Sequence, residues 1–166
     1  MREQYPNVTV ELMYVDQAAA KIILNPKSFD VVLCANLIGD FISESAASLT
    51  GSKGIMASAS LGEKYSLFEP THGTYTSATK KGIANPIGAI LSAAMLLKHF
   101  NLIDEANAIE RAITKSMQLN LTTPDLNKNK PLTTEKIGDF IADYICNPDL
   151  TDFNIENMYL GQSTII

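Results

Sequence analysis

Asp30-Val31-Val32-Leu33-Cys34-Ala35 is the stretch on which the fold class turns. It is a short, continuous apolar run, the pattern of a strand buried on both faces. Upstream, residues 8–15 also read as a strand: Val8, Val10, Leu12 and Tyr14 alternate with Thr9, Glu11 and Met13, and β-branched residues lead the run. Asp16 ends it and is placed to cap an Ala- and Ile-rich helix over 17–24, which Asn25-Pro26 breaks. Downstream of Ala35, residues 36–49 return to helical spacing, with Leu37, Phe41 or Ile42, Ser45 and Leu49 on related faces. Strand, helix, strand, helix within the first fifty residues predicts an α/β protein whose parallel or mixed sheet is flanked by helices.

The remainder is mainly helical. Gly51 and Gly54 punctuate the chain, residues 55–61 read as loop with some strand, and residues 65–69 as a short strand. Pro86 suits the first position of a helix capped by Asn85, and that helix, over 87–100, is apolar almost all round and so expected to be buried. Residues 103–118 are amphipathic, with Ala106, Ile109, Ile113 and Met117 on one side and Glu105, Glu110, Arg111 and Lys115 opposite. A polar connector with Pro124 covers 122–130. Thr133 caps a last helix over 134–145, with Ile137, Phe140, Ile141 and Tyr144 inward. In the tail, 147–166, Phe153, Ile155, Met158 and Tyr159 suggest docking onto the domain.

Composition narrows the function. The chain has 166 residues, 46% apolar and 19% charged, enough for a real core. Its net charge of −5 and the lack of a basic stripe argue against nucleic acid. The longest apolar run is too short to span a bilayer, and Met1-Arg2-Glu3-Gln4 opens no signal peptide. A cytoplasmic location is the default expectation. Two cysteines make no disulfide scaffold, and Cys34, within an apolar run, is expected as a buried thiol.

Two places could carry chemistry. Asp40 and Glu44, four apart on a predicted helix, put two carboxylates on one face, and Asp16 sits at a strand end, where ligands of open α/β sheets gather. Converging, the three would make a hard oxygen site for Mg²⁺ or Mn²⁺; the alternative is three unrelated surface acids. Phe68-Glu69-Pro70-Thr71-His72-Gly73-Thr74-Tyr75-Thr76-Ser77-Ala78-Thr79-Lys80-Lys81-Gly82-Ile83-Ala84-Asn85-Pro86 is a polar loop before the most apolar helix. Its N–H groups need partners, which a ligand bearing phosphates and hydroxyls would supply; the alternative is a solvated surface loop. There is no G-x-G-x-x-G, Walker A or CxxC motif, so a nucleotide site here is not of the Rossmann type.

Several runs, in this order, resemble the isocitrate/isopropylmalate dehydrogenase family: Tyr14-Val15-Asp16, the stretch from Phe29 to Asp40, Gly51-Ser52-Lys53-Gly54, Ser58-Ala59-Ser60, Glu69-Pro70-Thr71-His72-Gly73, Gly82-Ile83-Ala84-Asn85-Pro86 and Ile90-Leu91-Ser92-Ala93-Ala94. The Ser-Ala-Ser and Glu-Pro-Thr-His-Gly runs favour the isopropylmalate branch over the isocitrate enzymes. The resemblance implies an oxidoreductase of leucine biosynthesis. Its reaction would be metal- and NAD-dependent oxidative decarboxylation of a small 2-hydroxy acid. By motif, Asp16, Asp40 and Glu44 stand where the family holds its metal, with Asp16 also a catalytic position. Glu69, His72, Gly73, Thr74, Ser77 and Asn85 stand along the family's NAD loop.

This sequence departs from the pattern at several places. Glu44 is one methylene longer than the usual Asp, and Ser45 replaces an acidic neighbour. Ser77 replaces an Asp that accepts both ribose hydroxyls, and Lys80 adds positive charge, so NADP stays open beside NAD. The match is to the second half of the pattern. The substrate-gripping arginines and the catalytic Tyr and Lys belong to the first half, so the expected fold is a partial one with the N-terminal half absent. On that reading residues 1–50 end a central substrate and dimer domain, residues 51–146 are the C-terminal part of an NAD-binding domain, and 147–166 is a tail. The chain alone would be inactive, and its partners would be further copies or a complementing N-terminal half. Two other readings stand beside this one: a non-catalytic oligomeric module, and an isocitrate- or tartrate-type dehydrogenase.

Overall fold

Two helices form in the first fifty residues, and neither of the expected strands does. The computed structural model describes residues 4–148, and the chain divides between Thr50 and Gly51 into two compact units. In the first unit, α1 (Val15–Leu24) is followed by a 3-10 turn at Pro26–Ser28 and by α2 (Asn36–Thr50). Tyr14, not Asp16, takes the cap position of α1, with extended backbone and no side-chain cap bond. Asp16 instead lies in the first turn, where a carboxylate favours the positive end of the helix dipole. The Asn25 N–H closes the helix on the Lys21 carbonyl at 2.7 Å, and Pro26 stops it.

α1 and α2 pack on each other around a small core of Ala18, Ile42 and Ala47. Residues 8–14 and 29–35 are neither helix nor strand, and no ladder includes them. A strand needs a neighbouring strand to pair with, and the only ladder of the described residues is that of residues 57–61 with 66–70. The consequence is exposure. Leu12 is 89% exposed, Val31 88% and Leu33 79%. Cys34, expected inside such a strand, is a free and exposed thiol. On α2 the inward positions are Ile42 and Ala47, while Leu37, Phe41 and Leu49 are exposed.

The second unit is built around three helices and a hairpin. A 3-10 turn at Lys53–Ile55 leads into β1 (Ala57–Leu61), which pairs antiparallel with β2 (Ser66–Pro70) in the register Ala57↔Pro70 to Leu61↔Ser66. This hairpin is the whole sheet of the described residues. α3 (Ile87–His99), α4 (Ile103–Gln118) and α5 (Thr134–Cys146) follow, α3 lying against the hairpin and α4, and α4 against α5. Ile87, Ala112, Ile113, Leu121, Leu132, Ile137, Phe140 and Ile141 form the core.

α4 and α5 match the sequence pattern closely. Ala106 and Ile113 are buried as expected, Ile109 packs against the core, and Met117 turns out to solvent. Thr133 caps α5, its hydroxyl accepting from the Lys136 N–H at 3.3 Å. The α3–α4 and α4–α5 exits share one device. Asn101 and Asn120 take left-handed backbone, φ 61° and 58°. The following N–H groups reach back to Leu97 and Ser116 at 2.9 Å, closing Schellman turns that satisfy the last carbonyls. α3 is less buried than its composition suggests: Ile87, Gly88, Ser92 and Ala94 face inward, and Leu96 is exposed. The tail residues Phe153, Ile155, Met158 and Tyr159 lie outside the described residues.

Candidate functional site

The polar loop between β2 and α3 is held at both ends and exposed in the middle. At its start the Thr71 N–H donates to the Met56 carbonyl at 3.0 Å, extending the hairpin beyond its last pair. The middle is one turn of 3-10 helix, Thr76–Ala78, pinned by the buried Ala78 and closed by bonds from Ala78 to Tyr75, Thr79 to Thr76 and Lys81 to Ala78. Lys80 and Gly82 both take φ 62°, which reverses the chain. At the far end the Thr134 N–H donates to the Gly82 carbonyl at 2.8 Å and its hydroxyl to the Ala84 carbonyl at 2.5 Å, tying the loop to the start of α5. Many of the partners that the loop's backbone needs are thus supplied by the protein itself.

The residues expected to bind a nucleotide all lie along this segment. Glu69 is exposed on β2 opposite Ser58, and Gly73, Thr74 and Ser77 are exposed in the loop. His72 is half-buried, its ring Nδ1 3.2 Å from the Gly73 carbonyl. A Cβ on Gly73 would meet nothing within 4 Å, so the backbone there is open to an approaching group.

Asn85 is different, because its side chain already joins two elements. Its Oδ1 accepts from the Ile87 N–H at 3.0 Å, capping α3 from one residue before the cap position, which Pro86 occupies. Its Nδ2 donates to Asp125 Oδ2 at 3.0 Å. Asp125 also accepts from the Ser52 and Thr123 hydroxyls, and Ser52 Oγ in turn accepts from the Gly54 N–H at 2.9 Å. Partial burial acts to raise the Asp125 pKa and is the largest single influence. The bonds from Ser52, Thr123, Asn85 and its own backbone N–H together outweigh it, holding the carboxyl below the usual carboxylate range.

Glycines make this convergence possible. A Cβ on Gly54 would lie 2.6 Å from Asn85 Cβ, and one on Gly88 would lie 2.8 Å from the Gly54 carbonyl oxygen and 3.0 Å from that of Met56. The reading of 122–130 as a polar connector gives no role to Thr123 or Asp125, and Ser52 enters the sequence analysis only within the Gly51-Ser52-Lys53-Gly54 run. The local signal was Thr123-Pro124-Asp125, a turn-forming triplet with two side chains suited to accepting and donating at short range.

The acids of the first unit are a separate matter. Asp16 is exposed in the first turn of α1, and Asp40 and Glu44 are exposed on α2, four residues apart and hence on one helix face. Among the described residues no three His, Cys, Asp or Glu side chains are grouped to hold a metal ion. Asp40 and Glu44 offer oxygens of the right hardness for Mg²⁺ or Mn²⁺, but no third protein ligand is grouped with them among the described residues. No helix of the described residues is long and apolar enough to cross a membrane.

Known proteins share this architecture. The sequence profile of the isocitrate/isopropylmalate dehydrogenase family matches residues 1–141. The chain is 48% identical over 146 residues to a 3-isopropylmalate dehydrogenase of Mannheimia succiniciproducens, a match covering 86% of this chain and 41% of that protein. Among solved structures, an isocitrate dehydrogenase from Methylococcus capsulatus aligns with TM-score 0.83 and 35% identity over 86% of this chain and 42% of its own. A beta-decarboxylating dehydrogenase from Thermococcus kodakarensis aligns with TM-score 0.77 and 36% identity over 87% of this chain and 42% of its own. The chain therefore spans about two fifths of the length of the proteins it matches.

Proposed function

The chain belongs to the isocitrate/isopropylmalate dehydrogenase family, and on that premise we propose that it is the nucleotide-loop and acid-bearing portion of a 3-isopropylmalate dehydrogenase. Its part in the reaction is to hold NAD while a 2-hydroxy acid is oxidised and decarboxylated. The observation that carries this choice of substrate is 48% identity to an enzyme named 3-isopropylmalate dehydrogenase, against 35% to the isocitrate dehydrogenase structure.

The loop fits a nucleotide in its chemistry. Bare backbone at Gly73, the half-buried imidazole of His72 and the exposed hydroxyls of Thr74 and Ser77 lie in one segment whose two ends are fixed. Those residues, with Glu69 and Asn85, would hold the cofactor, which when bound supplies the hydride acceptor. Ser77 carries no charge to repel a 2′-phosphate, so NADP is a permitted alternative to NAD. Asp16, Asp40 and Glu44 contribute the family's acidic positions, and a metal-dependent step needs Asp16, or another donor, brought to the other two. General acid–base groups and substrate clamps come from the part of the architecture that this chain does not span, so the chain alone gives no turnover.

The test is an assay of cofactor reduction. The chain, co-expressed with the unmatched remainder of the Mannheimia succiniciproducens enzyme, is supplied with Mg²⁺, NAD⁺ or NADP⁺, and isopropylmalate, isocitrate or tartrate in turn. Reduction with isopropylmalate alone supports the reading; reduction only with isocitrate or tartrate overturns the substrate. NADH formed by the purified chain without the remainder would refute its dependence on the missing groups.

A further inference from the structure

Among the loop positions assigned to the cofactor, Asn85 is the one whose side chain bridges two elements. Capping α3 explains only half of that bridge. The cap needs an acceptor for the Ile87 N–H, and a Ser, Thr or Asp would serve as well. The amide adds a donor, and that donor goes to Asp125, 40 residues along the chain in a turn. Among the described residues these are its two side-chain bonds, which leaves one N–H and one lone pair uncommitted.

The carboxylate that Asn85 meets is held at both oxygens. Oδ2 accepts from Asn85 and from the Ser52 hydroxyl, and Oδ1 accepts from the Thr123 hydroxyl at 2.5 Å. The plane of the carboxylate is thereby set, and with it the direction in which Asn85 donates. Thr123 is fully buried and anchors one side of this arrangement. Ser52 anchors the other, its Oγ accepting from the Gly54 N–H at 2.9 Å. Gly54 brings the group together: a Cβ there would lie 2.6 Å from Asn85 Cβ, 3.1 Å from Ser52 Oγ and 3.2 Å from Asp125 Oδ2, so all three side chains close on bare backbone.

We infer that Ser52, Thr123 and Asp125 are positioning residues for the dinucleotide, acting through Asn85 by holding its amide in the orientation in which the uncommitted N–H and lone pair meet the cofactor. The inference rests on the functional reading above, which puts a nucleotide at this loop, and extends it to residues outside the loop. Its physical basis is entropic. A side chain ordered on folding loses little freedom when a ligand binds, whereas immobilising a free one weakens binding by about 3–10-fold. A purely structural network behaves differently: its variants lose stability, and any change in affinity is the same whether or not Asn85 is present.

A double-mutant cycle in the full chain separates the two. NAD⁺ is titrated into isotope-labelled chain, with the amide signals of Gly73, Thr74 and the Asn85 side chain as the readout. Asp125→Ala, Ser52→Ala and Thr123→Val each raise the Kd by about 3–10-fold, and Thr123→Ser, which keeps the hydroxyl, holds the parent value. In an Asn85→Ala background Asp125→Ala adds nothing, because the group it acts through is gone. Signals of α4 and α5 that stay in place show that each variant is folded, and Ser52→Ala with Thr123→Val carries the cycle if Asp125→Ala is not. An unchanged Kd in the folded variants overturns the inference, and so does a loss of the same size with and without Asn85. A parent chain whose loop signals stay still with both NAD⁺ and NADP⁺ refutes the reading that this loop holds a nucleotide, and this inference with it. A parent that binds, with variants that bind equally well, overturns this inference alone.

Discussion

Replacing Asp125 by Ala should loosen the whole junction of the polar loop with α3, because one carboxylate accepts from Ser52, Thr123 and Asn85 together. A hydrogen bond to a charged group is worth ~1.5–3 kcal/mol net when its partners cannot turn to water. Asp125 retains solvent exposure, so the released donors rehydrate in part, and the three bonds together fall far below their simple sum. We expect a loss of about 2–3 kcal/mol, or roughly 5–10 °C in Tm for a chain of this size. The pH dependence supplies the sharper check. The carboxyl is held below its ordinary range, so the folded state keeps the anion when the unfolded chain begins to bind a proton. Stability from this group is therefore complete above the unfolded pKa of about 3.9 and is lost as pH falls through the depressed folded value. Urea titrations of the parent and of Asp125→Ala should differ by a constant amount from about pH 7 to about pH 5, and the gap should close below about pH 4. A gap under ~0.5 kcal/mol at neutral pH, the scatter of ordinary surface substitutions, would refute the reasoning. So would a gap that persists unchanged, or widens, into acid.

Thr122→Val should raise stability by ~1 kcal/mol, seen as a higher urea midpoint, because the buried Thr122 hydroxyl finds no hydrogen-bond partner among the described residues and Val keeps its shape. Gly88→Ala should cost ~1–3 kcal/mol in the same titration, since its Cβ would meet backbone oxygen at 2.8 Å, whereas Gly73→Ala should change stability by less than ~0.5 kcal/mol and show its effect in NAD titration of the completed enzyme. Lys80→Gly should stabilise by ~0.5–1 kcal/mol in thermal melts by relieving a left-handed backbone at a residue with a side chain. Millimolar Mg²⁺ should leave the Tm of the chain alone unchanged in calorimetry, because no three donors are grouped among the described residues; a rise of several degrees that Asp40→Asn abolishes would refute this.

Helices were legible in this sequence to the degree that their causes are local. The pattern over 103–118 gave the observed bounds of α4, and the Thr133 cap marks the start of α5 because a hydroxyl and the N–H it serves are three residues apart. Asn101 and Asn120 carried a readable signal as well, left-handed exits after apolar helices, and reading them would have sharpened both helix ends. Strands are another matter. The runs at 8–15 and 30–35 have the right side chains, yet a strand is defined by a partner that its own sequence does not contain, and periodicity reports suitability for burial without reporting who does the burying. The hairpin of β1 and β2 formed because its partner lies four residues away across Gly62. The same distinction separates the two parts of the candidate site. The loop positions fall in one contiguous segment and are assigned by motif, whereas Asp125 gathers residues 52, 85 and 123, and a convergence of that span leaves only a local turn signature in the sequence.

Asn85 shows what the hidden part contributes. An Asn side chain has two N–H donors and two lone pairs on its oxygen. The bonds to Asp125 and from Ile87 use one of each, and they fix the plane of the amide between a carboxylate and a helix end. One donor and one acceptor remain, already oriented. A ligand contacting Asn85 would meet a rigid group whose ordering cost was met on folding, so its affinity would reflect the bond formed and little loss of side-chain freedom. That condition depends on Asp125 accepting from Asn85 and on the Ser52 and Thr123 hydroxyls that hold the carboxylate in place. The residue that motif reasoning assigns to the cofactor thus depends for its geometry on three that it does not, Ser52, Thr123 and Asp125. Changing any of them should weaken a nucleotide bound at the loop even though none of them lies within it.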